Sequence, residues 1–258
     1  MRFFSLPFIL LIVALTAPAR AAGGLDAAES LYTQGDYNAA IAAGRSLATA
    51  DGFGLAARAG LVMAGYLTSG EEQVRYLDAA LDDAGQALAR VPGHVEGHLQ
   101  MAIALGYRAR LTRSVEDVRQ ARVHVTAALD AAPDDPWANA ALGGWHGEVV
   151  IEAGGFIGGL LFGASRRRAA RAFQAALDRD PDNVALHVGY AGTLLRFGRS
   201  RYRDDAIALL TRARTLAPRT AFDRMMLDHA GRLLVAAQGN GEDMRVALAA
   251  ITPFGQVQ

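Results

Sequence analysis

Cysteine is missing altogether from these 258 residues, and so is lysine. Without a thiol there is no disulfide staple, no thiolate zinc site and no cysteine nucleophile. The fold must hold together through its core, which a chain of this length can supply. All the basic residues are arginine, and we read the missing lysine as codon bias in a GC-rich, bacterial genome. Basic and acidic residues number 26 each, so no global field draws nucleic acid. Aromatics are scarce as well, at 7% of a chain that is 52% apolar, and prolines number only 8. Alanine fills the gap. As the strongest helix former, it favours close-packed helices over sheet. Catalytic signatures are also lacking: no G-x-S-x-G elbow, no Walker loop, no G-x-G-x-x-G between strand and helix. A non-catalytic protein without cofactor or metal is the expectation.

What is present begins with a targeting pattern. Met1-Arg2 is followed by an apolar run from Phe3 to Thr16 and by Ala19-Arg20-Ala21. A basic start, a short apolar stretch and an A-x-A site describe a cleavable secretory signal over residues 1–21. The run is shorter than the roughly 20 residues of a membrane span; kept in place, it would be an anchor. Export to the periplasm or beyond is the expectation, with residues 22–258 as the mature domain.

The mature part repeats. Pro92, Pro133, Pro181 and Pro218 each close an apolar helical pattern. Twelve positions before each stands Ala80, Ala121, Ala169 or Ala206, and eight before stands Ala84, Val125, Phe173 or Leu210. Nine and ten positions after the prolines come Met101-Ala102, Leu142-Gly143, Tyr190-Ala191 and Leu227-Asp228. A degenerate copy reads Ala40, Gly44 and Gly52. Small residues at such spacing are where two helices cross closely, with large ones filling the space beside them. This A-x-x-x-F…P spacing resembles the tetratricopeptide repeat over roughly 22–240. The resemblance implies an all-α, right-handed superhelix of about five helical hairpins, ending in a capping helix over 242–250. Such arrays have a concave face lined by the first helix of each pair. Its fourth positions, His98, Asn139, His187 and Arg224, are the expected contacts for a protein or peptide of the cell envelope.

The steps between prolines are 41, 48 and 37 residues against 34 in the family. The excess lies inside each hairpin and is expected as loops on one edge. The longest insert, 149–163, is apolar and carries five glycines. It ends in Phe156, Ile157, Leu160, Leu161 and Phe162, then Arg166, Arg167 and Arg168, three cations at a helix start that the dipole disfavours. Arg199, Arg201 and Arg203 follow in the next insert, on the same edge. The stretch reads either as a tucked hairpin or as a contact site for a partner protein or an anionic membrane surface. Leu142-Gly143-Gly144-Trp145-His146, Leu161-Phe162-Gly163 and Ala172 to Leu177 are similar to the repeat domain of the regulator-of-microtubule-dynamics family and its bacterial relatives, which implies the same fold.

Histidines offer the remaining chemistry. His94 and His98 share one side of a helix with Glu96 nearby, a spacing that can seed a metal site, yet 98 and 187 are also the large-residue positions of the repeat. The leading expectation is an exported scaffold. The alternative is a peripheral envelope-assembly factor that touches the membrane through 149–163 and the flanking arginines.

Overall fold

The computed structural model describes residues 17–239 and 241–254. They form α1 (Ala17–Gln34), α2 (Tyr37–Leu47), α3 (Ala50–Val62), α4 (Gly70–Arg90), α5 (Val95–Thr112), α6 (Val115–Ala131), α7 (Pro136–Phe162), α8 (Arg166–Arg179), α9 (Val184–Phe197), α10 (Arg199–Arg214), α11 (Ala221–Gln238) and α12 (Gly241–Ile251), with no strand among them. Residues 1–16 of the expected signal lie outside the described residues. The expected cleavage site falls within the first turns of α1.

Consecutive helices pack as hairpins, and each odd-numbered helix also touches the next odd-numbered one. The odd helices therefore make an inner row and the even ones an outer row, in a tetratricopeptide-like solenoid. Five hairpins precede α11, and α12 closes the array. Pro92, Pro133, Pro181 and Pro218 all fall between hairpins, because a proline lacks the N–H that a continuing helix needs. The next helix is then started by a side chain that accepts an orphan backbone N–H: His94, Asp135, Asn183 and Thr220 do this after the four prolines. Ser114 and Ser165 do the same inside the hairpins. The repeat alanines Ala80, Ala121, Ala169 and Ala206 are buried at the crossings, beside Val125, Phe173 and Leu210.

The extra residues are helix, not the loops expected. Only Arg113-Ser114 separates α5 from α6, and Gly163-Ala164-Ser165 separates α7 from α8. The interval after Val62 becomes a π-helical turn, Met63–Leu67, and an N-terminal extension of α4. In α7 the surplus doubles back. Gly154 has a left-handed φ of 77° that breaks the helix, and such a φ is open to glycine at little cost.

The two ends of the array meet. α11 touches α1, and Phe222 and Met225 join the core of Ala28, Tyr32, Tyr37 and Leu55. The ring of Tyr66, in the π-helical turn, lies 5.5 Å from that of Phe222. The inner row thus closes on itself, and the concave side holds the chain's own C-terminal region.

Candidate functional site

Three of the four residues expected on the concave face share one local role. His98 Nε2 lies 2.8 Å from Pro92 O, and His187 Nε2 lies 2.9 Å from Pro181 O. Asn139 Nδ2 donates to Pro133 O at 3.0 Å. Each side chain reaches back six residues and satisfies a carbonyl that the proline turn leaves outside the helix ladder. Arg224 is exposed. His98 Nδ1 also meets His124 Nδ1 at 2.9 Å, so one of the two rings must be neutral there to accept the bond. Burial and His98 both lower the pKa of His124. His94 turns the other way, capping α5 through Nδ1 and contacting Asp51 through Nε2. Both rings of the i, i+4 pair are thus committed to separate partners. Among the described residues no three His, Asp or Glu side chains gather at metal-binding distance.

The insert divides into two halves. Val149 and Val150 are core, packed with Ala164 against Val118, Trp145 and Phe197. Beyond Gly154 the chain folds back, bringing Gly158 so close that a Cβ there would lie 3.2 Å from Val149 Cγ1. This leaves Phe156, Ile157, Leu160 and Leu161 pointing outward, with 83, 51, 73 and 62% of their surfaces exposed. Phe162, expected with them, turns inward instead, its ring edge-on to Trp145 at 6.5 Å.

The arginines around this patch do not act alike. Arg166 lies over the Phe197 ring at 5.5 Å. Arg168 donates to Gly163 O, closing the hairpin. Arg167 and Arg171 are exposed, and neither has an acidic partner among the described residues. Phe197 in turn meets Tyr202 at 5.8 Å, and Arg201 lies beside Tyr202 at 5.6 Å. Of the second arginine group, Arg201 is thus linked to Arg166 through the Tyr202 and Phe197 rings. Arg203 departs from the set: it donates to Ala237 O at the end of α11. The side chain of Arg199 lies outside the described residues.

Beneath the hairpin is a cavity of about 490 Å³ that sequence reading missed. Its walls are Ala102, Gly106, Val118, Gly144, Trp145 and Phe162, with Thr252 and Pro253 at one end. Small residues on α5 and α7 fail to fill the wedge between the third and fourth hairpins, and Gly106 and Gly144 were the available signal. Along its rim Glu148 and Glu152 of α7 bridge to Arg110 of α5, to Arg113 just past its end and to Arg196 of α9. This network ties three inner helices together around an apolar opening.

Paired helices with small residues at their crossings, an inner and an outer row, and a proline at each junction define a tetratricopeptide-repeat type of protein. A crystal structure of a thermophilic protein of this kind from Thermus thermophilus superposes with a TM-score of 0.58 at 20% identity, over 81% of this chain and 98% of the other. Residues 53–238 match regulator of microtubule dynamics protein 1-3, and the chain belongs to that family. No curated protein matches.

Proposed function

We propose that this repeat protein is a non-catalytic interaction scaffold of the cell envelope that docks on an anionic membrane surface through its folded-back hairpin. The observation that carries this is the patch of Phe156, Ile157, Leu160 and Leu161, exposed together, with the exposed Arg166, Arg167 and Arg171 following in the chain. Large apolar side chains on a short helix flanked by arginines match what an interfacial segment needs: acyl contact on one side, lipid phosphate on the other. No single described helix is long and apolar enough to cross a membrane, although the bent pair α7 and α8 together has the length and composition; the exposed patch supports contact at the surface. The apolar run and A-x-A site at the N-terminus support export, and a product starting at Ala22 by intact mass would establish it.

Vesicle sedimentation of residues 22–258 tests the docking. Binding is expected to vesicles containing phosphatidylglycerol and to fall with added salt. Leu160→Asp with Leu161→Asp should cut the bound fraction more than tenfold, since each leucine contributes on the order of 1–2 kcal/mol when buried. The melting temperature should not move, because both side chains are already exposed. Protein left in the supernatant with every vesicle type would sink the reading and return the patch to a protein partner.

A second reading rests on the cavity. Its volume lies in the range of small-molecule sites, its walls are apolar, and it adjoins the patch, so it suits a single apolar chain. Trp145 lines it. Titrating a long-chain fatty acid into a Trp137→Phe background should shift Trp145 emission saturably. A flat response would remove this reading without touching the first.

A further inference from the structure

Past α12 the chain crosses to the inner side of the second and third hairpins. Thr252 ends the helix, its N–H and hydroxyl both bonding Leu248 O at 3.0 and 2.7 Å. Phe254 is then only 3% exposed. It sits among Leu61, Ala64, Leu77, Ala80 and Ala104, its ring 5.2 Å from that of Tyr107. Pro253 lies against Gly65 in the π-helical turn. A Cβ on that glycine would stand 3.4 Å from Pro253 Cβ and 3.2 Å from the Tyr107 ring, so the absence of a side chain shapes the seat. The side chains packed around Phe254 are aliphatic and aromatic.

The occupant is held at a cost. Phe254 adopts a φ of 58°, a region that disfavours a bulky L-residue by roughly 1–2 kcal/mol. The helix that carries it packs on α11 through Met244, Ala247, Leu248 and Ile251, so the segment past Ile251 can leave the seat while α12 stays docked. Thr252 and Pro253 also wall the cavity, which stays open beyond them. A longer ligand entering the same seat would find more apolar surface to cover.

We propose that this seat is a docking site for a peptide segment in which an aromatic residue follows a proline, and that Pro253-Phe254 is its built-in, displaceable occupant. The chain's own segment shows the chemistry accepted: a proline ring against Gly65, then an aromatic ring tilted against Tyr107. A partner segment free to stay extended avoids the left-handed φ. Tethering gives the internal segment an effective concentration in the millimolar range, so a partner experiences an affinity weakened by that competition. This site is independent of membrane docking.

The test uses a fluorescein-labelled peptide with the sequence of residues 250–258 and three proteins: the full chain, a chain ending at Ile251, and full-length Phe254→Ala. The shortened chain and Phe254→Ala should both bind the peptide, with a Kd of about 10–100 μM. The full chain should bind at least tenfold more weakly. A peptide with alanine in place of the phenylalanine should not bind. Equal binding to all three proteins, or none by the two altered chains when circular dichroism shows them folded, overturns the proposal. If both altered chains lose their helical signal, Phe254 is core and the proposal fails as well.

Discussion

Replacing Gly44 with alanine is expected to destabilise the protein by about 3 kcal/mol and to lower its melting temperature by roughly 8 °C. Gly44 of α2 and Gly52 of α3 face each other where the two helices cross. A Cβ on Gly44 would stand 2.5 Å from Gly52 O and 3.3 Å from Ala56 N, and one on Gly52 would press on Gly44 O in return. The obstacle is backbone on both sides, so no side chain can rotate away and the helices must separate. Separation would loosen the core around Ala40, Ile41, Leu55 and Ala56. Opposing this is the intrinsic helix preference of alanine over glycine, about 1 kcal/mol, which is smaller. Gly189 is the control. It is an exposed glycine within α9 with nothing within 4 Å of a built Cβ. Gly189→Ala should keep that preference and stabilise by up to about 1 kcal/mol. Thermal melts followed by circular dichroism would give the two signs. A Gly44→Ala protein that melts with the parent would show that the helices are not held in close contact there.

The Gly44–Gly52 crossing also shows why the repeat could be read from sequence. Where helices touch backbone to backbone, only Gly or Ala fits, so the small residues at 80, 121, 169 and 206 record the packing directly. The prolines record the junctions for the same local reason. The insertions were harder. Extra length in a repeat family is expected as loop, and the Gly-rich, β-branched stretch before Ala153 has little helix preference of its own; burial of Val149 and Val150 against Val118, Trp145 and Phe197 holds it as helix within α7. The concave-face residues illustrate a different failure. A polar side chain six places after a proline looks like a ligand contact in a linear reading. It is equally the donor that a proline-turn carbonyl needs, as His98, Asn139 and His187 all demonstrate. Curvature was beyond local reading. Nothing near Phe222 or Phe254 announces that α11 will meet α1, or that the C-terminal segment will lie against Tyr107.

The second large effect is on pH. His146 of α7 is 4% exposed, and its Nδ1 is buried without a hydrogen-bond partner. Burial, with Arg122 and Arg168 adding repulsion, lowers its pKa from 6.5 to about 4. The imidazole is therefore neutral in the fold, while the unfolded chain takes up a proton near pH 6.5. Above that pH neither state binds the proton and nothing is lost. As pH falls from 6.5 toward 4 the unfolded state gains protonation that the folded state refuses, so stability drops. The drop approaches about 3 kcal/mol once pH reaches the folded value, since each pKa unit is worth about 1.4 kcal/mol. His124 and His229, also lowered by burial, push the same way. Asp83 opposes them, because its burial, only partly offset by Arg45, raises its pKa. A difference measurement isolates the one ring. His146→Leu keeps an apolar side chain of similar bulk and has no proton to exchange. Urea unfolding at pH 7, 6, 5 and 4.5 should show the variant gaining on the parent steadily below pH 6.5, by about 2–3 kcal/mol at the lowest pH. Parallel curves would mean that His146 is solvated, and that the core beneath the hairpin is open to water.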